Sequence, residues 1–142
     1  MSQWTHINGS IRIDYLQLEN PDKEIIEDIK KHFGNICDFY SDEKRWKDCN
    51  VPLGSEGSVQ YDVQLTGDAH SLARIRIQIW GDLRNYENTE EIIEWIKQAT
   101  KELIIRDGVI QIDVESKEKT ILIWNDDKDE WQNILKEEKC QK

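Results

Sequence analysis

Apolar and polar residues alternate at a spacing of two in several separate stretches of this chain, and no other feature limits its fold as strongly. In residues 4–15, Thr5, Ile7, Gly9, Ile11, Ile13 and Tyr15 take one set of alternate positions, and Trp4, His6, Asn8, Ser10, Arg12 and Asp14 take the other. Successive side chains of an extended strand point to opposite sides, so this pattern predicts a strand with one buried side. The pattern returns in Val59, Tyr61, Val63 and Leu65, in Ala73, Ile75, Ile77 and Ile79, and in Ile110, Ile112 and Val114. Ile121, Leu122, Ile123 and Trp124 predict one more strand. Strands of this kind bury one side of a sheet and leave the other side wet.

Two intervening segments switch to helical spacing. Asn20-Pro21-Asp22 combines a capping side chain, a proline suited to a first helical position and an acid that complements the helix dipole. Ile25, Ile26, Ile29 and Phe33 then form the apolar stripe, and Gly34 with Asn35 can supply the left-handed residue that ends the helix. Asn88, with Glu91 three positions on, caps a second helix whose stripe is Ile92, Ile96, Ala99 and Leu103. Residues 35–57 lack a sustained period and read as a long irregular loop. Gly67-Asp68-Ala69-His70 reads as a hairpin turn, and residues 81–86 as a connection. The tail from Asp127 reads as a short helix bearing Trp131, Ile134 and Leu135.

The order β-α-β-β-α-β-β predicts an α+β fold. The expected form is a ferredoxin-like split β-α-β sandwich: a mainly antiparallel sheet, two helices on one face, an extra C-terminal strand and a short helix. A mixed sheet with a different strand order satisfies the same pattern. At 142 residues the chain reads as a single domain, 1–142.

The charge narrows the partners. With 29 acidic and 19 basic residues the formal charge is −10, which repels nucleic acid and anionic membranes and favours a neutral or basic partner. Surface acid that serves only solubility is the plainer alternative. No uncharged apolar run is long enough to span a bilayer, and residues 1–8 lack a basic leader before an apolar block, so a cytosolic location is expected. Cys37, Cys49 and Cys140 are odd in number and far apart, which suits reduced thiols. His6, His32 and His70 have no metal-ligand spacing, and no nucleophile elbow or phosphate-cradling glycine loop is present. Gly54-Ser55-Glu56-Gly57-Ser58 reads as a flexible connection into a strand. No cofactor, metal or enzymatic activity is expected.

The wet side of the sheet would display Trp4, His6, Asn8, Arg12, Gln60, Gln64, Arg74, Arg76, Gln78, Trp80 and Gln111. Arg and Trp are enriched where proteins meet, so the candidate binding residues are Trp4, His6, Asn8, Arg12, Arg74, Arg76, Trp80, Arg84 and Tyr86. A merely solvated sheet face, and self-association of copies through that face, fit the same residues. RNA binding conflicts with the charge. The acidic helices, with Asp22, Glu24, Glu27 and Asp28 and then Glu90, Glu91, Glu94 and Glu102, could instead offer carboxylates to a basic groove as a nucleic-acid mimic does.

At Trp4-Thr5-His6-Ile7-Asn8-Gly9-Ser10-Ile11-Arg12-Ile13-Asp14, Gly54-Ser55-Glu56-Gly57-Ser58 and Trp80-Gly81-Asp82-Leu83-Arg84-Asn85-Tyr86-Glu87, the chain resembles small uncharacterised proteins encoded by bacteriophages and prophages of low-GC Gram-positive bacteria. The resemblance implies an accessory protein acting in the host bacterial cytoplasm. The expectation it supports is a non-enzymatic anti-defence inhibitor, such as an anti-CRISPR protein. It would bind a host defence protein with a basic surface and block nucleic-acid access or a conformational step. Two alternatives stand beside it: a nucleotide-signal sponge using Arg74, Arg76 and Trp80, and a self-associating phage structural or assembly protein.

Overall fold

The computed structural model describes residues 2–14, 22–36, 50–65, 75–117 and 119–135. Alternation shapes the first element, β1 (Trp4–Asp14), which buries Thr5, Ile7, Ile11 and Ile13 and turns Asn8 and Arg12 to solvent. Helix α1 (Asp22–Phe33) buries Ile25, Ile29 and Phe33, with acids in its first turn and Lys30, Lys31 and His32 in its last. It stops at Gly34, which adopts φ +93° and donates its N–H to the Lys30 carbonyl at 2.9 Å. The expected cap at Asn20 and Pro21 lies outside the described residues, as do the hairpin turn at 67–70, most of the 35–57 loop, and Arg74.

Strands β2 (Val59–Leu65) and β3 (Ile75–Arg84) pair antiparallel, Tyr61 opposite Ile79. Helix α2 (Thr89–Thr100) follows, and Asn88 caps it as expected, accepting the Glu91 N–H at 3.2 Å. Then come β4 (Ile104–Val114), β5 (Lys119–Asn125) and β6 (Glu130–Asn133). The six strands form one antiparallel sheet in the order β2-β3-β1-β4-β5-β6.

The buried positions of the strands and both helix stripes join a single core. Ten of its twelve largest fully buried side chains are isoleucines, which suit a pleated surface and contribute about 1.5–3 kcal/mol each on burial. Aromatic contacts tie the helices together. Phe33 lies 5.2 Å from Tyr61 and 5.7 Å from Trp95, whose Nε1 donates to the Phe33 carbonyl at 3.1 Å. Burial pushes the Tyr61 hydroxyl up to about 12.

The structure revises four expectations. β3 runs through the 81–86 segment as far as Arg84, because Gly81 and Leu83 keep the buried phase. β4 begins at Ile104 and carries a bulge where the pairing shifts between Arg12 and Ile13, so that Arg106 and Asp107 are both exposed. Trp131 lies on a sixth strand rather than a helix, and among the described residues beyond it only Ile134 and Leu135 are helical. The glycine-serine segment at 54–58 is a docked turn, not a flexible connection. Gly54 N–H bonds the Gly57 carbonyl, Ser55 N–H the Arg84 carbonyl and Arg84 N–H the Glu56 carbonyl, at 2.9, 3.0 and 2.8 Å.

Candidate protein-binding face

Cross-strand register places side chains of neighbouring strands in levels on the side of the sheet away from the helices. The central levels run Gln60, Trp80, Asn8, Gln111, Ile121 and then Asp62, Gln78, Ser10, Val109, Ile123. Toward one end lies the level of Gln64, Arg76, Arg12 and Asp107, and toward the other that of Asp82, His6, Asp113 and Lys119. No described helix packs on this face. At its centre Trp80 is 44% exposed and Val109 51%. Trp80 is the most exposed of the described tryptophans: Trp131 is buried, and Trp4, Trp95 and Trp124 are partly buried.

The acidic end is tied down. His6 Nδ1 lies 2.6 Å from Asp82 Oδ1 and its Nε2 2.9 Å from Glu115 Oε2. Carboxylates accept hydrogen bonds, so both contacts are made at once only by the imidazolium, in which both ring nitrogens donate, and the two partners favour that form. These two hydrogen bonds, Asp82 first, raise the His6 pKa above 6.5, and His6 in turn holds Glu115 below 4.5. Glu115 also accepts the Trp4 N–H at 3.1 Å. With both ring nitrogens engaged, His6 keeps no lone pair for a substrate proton.

This clamp has a defined pH dependence. The His6 contribution to stability is fully present below 6.5 and is lost as pH rises through its raised folded-state value. The Glu115 contribution is present above 4.5 and lost as pH falls through its lowered value. The clamp is therefore strongest between those limits. Denaturation of wild type and His6→Gln should show the larger gap on the acid side of neutrality, closing on the alkaline side. A gap that does not vary with pH would count against the imidazolium clamp.

The opposite end is basic. Arg12 and Arg76 are direct cross-strand neighbours, an arrangement that like charge disfavours. Arg12 reaches Asp107 at 3.5 Å and the bulged Arg106 reaches Asp14 at 3.3 Å, whereas Arg76 forms no ion pair among the described residues. Arg84 lies past the acidic end, bonded to Ser2 at 2.8 Å and to Glu56 at 3.1 Å.

Of the nine candidate residues, seven lie on this face: Trp4, His6, Asn8, Arg12, Arg76, Trp80 and Arg84. Arg74 lies outside the described residues. Tyr86 does not join them, because it is 7% exposed and sits in the core, where burial and the nearby Glu91 carboxylate raise its pKa. Sequence reasoning missed Asp82, Val109, Asp107 and Glu115. Asp82 was legible in the apolar phase of Ile79, Gly81 and Leu83, and Val109 in that of Ile110 and Ile112.

On the helix side, where β5 and β6 overrun the helices, a pocket of about 650 Å³ opens. Trp124, Trp131 and Ile105 line it, with Lys97 and Lys101 beside Asp126, Asp129 and Glu130. Among the described residues no cluster of His, Cys, Asp or Glu is arranged to hold a metal, and no helix is long and apolar enough to cross a membrane. No family model, no curated protein and no solved structure matches the chain.

Proposed function

We propose that this chain is a non-catalytic binding protein that meets a protein partner through the open face of its sheet. The observation that carries this reading is the exposure of Trp80 and Val109 between an Arg-rich end and a carboxylate-rich end. An exposed indole ringed by polar groups, beside a guanidinium with no ion pair among the described residues, is the make-up of an interface hot spot. The first four strands, in the order β2-β3-β1-β4, are consistent with a split β-α-β sandwich and support a ferredoxin-like reading, with β5 and β6 added beyond β4. That fold hosts many activities, so the reading rests on the face and not on the fold.

The phage and prophage resemblance supplies the biological setting. In it the protein is an anti-defence inhibitor in the bacterial cytoplasm, and its partner is a host defence protein. The charge of −10 steers association with a basic surface, while Trp80 and Arg76 anchor the contact.

Affinity capture from host cells, with mass spectrometry of the captured proteins, tests this. Wild type should retain one host protein in a salt-sensitive manner, and Trp80→Ala should lose it while unfolding at an unchanged denaturant concentration. Capture unaffected by Trp80→Ala would place the contact elsewhere.

A further inference from the structure

The pocket between the end of α2 and the β5–β6 hairpin carries a charge pattern of its own, on the side of the sheet away from Trp80. Its apolar wall is fixed in place. Trp131 packs edge-on against Trp124 at 5.5 Å and is pinned by its hydrogen bond to Thr100 Oγ1 at 3.0 Å. Ile104, which lines the same pocket, is 48% exposed, one of the few large apolar side chains left open to water.

Two lysines come from the helix. Lys97 and Lys101 stand four positions apart on one helix face, where like charges repel. Three carboxylates come from the other side, Asp126, Asp129 and Glu130, on and beside the turn that joins β5 to β6. That turn is held: Asn125 Oδ1 accepts the Lys128 N–H at 3.1 Å, and Asp129 takes φ +51°, a backbone conformation that Asp tolerates better than most residues. None of these five charges forms an ion pair among the described residues, so opposite charges line one pocket from different elements without meeting.

Charge and size narrow the ligand. A simple anion drawn to the two lysines would also meet three carboxylates, and a simple cation drawn to the carboxylates would meet two ammonium groups. A zwitterion satisfies both walls, and the indole and Ile104 between them call for an apolar body. The volume of about 650 Å³ falls among small-molecule sites. Because the two charged walls do not meet, a dipeptide, whose termini stand farther apart than those of a single amino acid, spans them better. We infer that the pocket binds a short peptide with free termini and apolar side chains. Its carboxylate lies on Lys97 and Lys101, its ammonium among Asp126, Asp129 and Glu130, and its side chains over Trp124 and Ile104.

Titration of leucyl-phenylalanine into the whole protein, followed by backbone amide NMR, should show saturable shifts concentrated at residues 97–105 and 124–131. The N-acetylated and the C-amidated dipeptides should each bind at least about fivefold more weakly, the effect of a charge-assisted hydrogen bond discounted for an open pocket. Lys97→Gln combined with Lys101→Gln should weaken the free dipeptide by a similar factor and leave the amidated one unchanged, because that form lacks the carboxylate the lysines hold. Asp126→Asn combined with Asp129→Asn should weaken the free dipeptide and leave the acetylated one unchanged. All four positions are exposed, so both variants should keep the fold, and their amide spectra away from the pocket check that. No saturable binding, equal binding of the free and blocked dipeptides, or variants that bind as wild type does would each overturn the inference. The site and the Trp80 face lie on opposite sides of the sheet, so none of these outcomes bears on the proposed function.

Discussion

Trp131→Ala will lower the unfolding free energy by about 3–5 kcal/mol, the range for truncating a large buried aromatic. Trp131 is 7% exposed, and its ring lies across Gly108 so closely that a Cβ there would come within 2.4 Å of it. It packs edge-on against Trp124 at 5.5 Å, and its Nε1 donates to Thr100 Oγ1 at 3.0 Å. That hydroxyl donates in turn to the Ile96 carbonyl at 2.7 Å, so one side chain joins the last strand, the middle of the sheet and the end of α2. Alanine removes all three links and leaves a cavity beside a glycine that cannot fill it. Trp131→Phe keeps most of the packing and gives up one hydrogen bond and some volume, with an expected cost of about 1–2 kcal/mol. Urea unfolding of both variants checks the order. A loss below about 1 kcal/mol for Trp131→Ala would mean that β6 is not docked as described.

Gly57→Ala will be the second most damaging change, at about 2–4 kcal/mol, for reasons of backbone rather than packing. Gly57 sits at φ +79°, a conformation that L side chains rarely adopt, and a Cβ there would stand 1.9 Å from the Asp82 carbonyl oxygen. Because backbone blocks the way, the 54–57 turn would have to lift off β3, breaking its bonds to Arg84. A neighbouring control isolates the cause: Ser55→Ala, whose exposed hydroxyl makes two long contacts, donating to the Arg84 carbonyl at 3.3 Å and accepting from Asn85 Nδ2 at 3.4 Å, should stay within about 0.5 kcal/mol of wild type. Equal effects from the two substitutions would show that the glycine conformation is not what holds the turn.

Much of the fold was legible because the chain is locally consistent. Strict alternation marked the buried side of β1, β2 and β3, and Asn88 and Gly34 marked helix ends by side-chain chemistry that needs no tertiary partner. The misreadings have one cause in common, namely contacts distant in sequence. The turn at 54–58 looks flexible until β3 supplies its hydrogen bonds, and Trp131 has helical neighbours in sequence but a strand partner, Trp124, in space. The β4 bulge interrupts alternation at Arg106 and Asp107, which hid the start of that strand. The open face was foreseeable as a polar side. Its division into two charged ends was not, because that depends on which levels register brings together: His6 and Glu115 are 109 positions apart.

The placement of β1 between β3 and β4 has a consequence for how the molecule forms. The strand β1 is interior and is made before either of its neighbours; Trp4 and Glu115, bonded at the end of the strand, are separated by 111 positions. Pairings over such distances raise contact order, and domains dominated by them take milliseconds to seconds to fold rather than microseconds. Until then Ile7, Ile11 and Ile13 lie bare on an unmatched ribbon, the interval in which a nascent chain is most open to chaperones and to aggregation with its siblings.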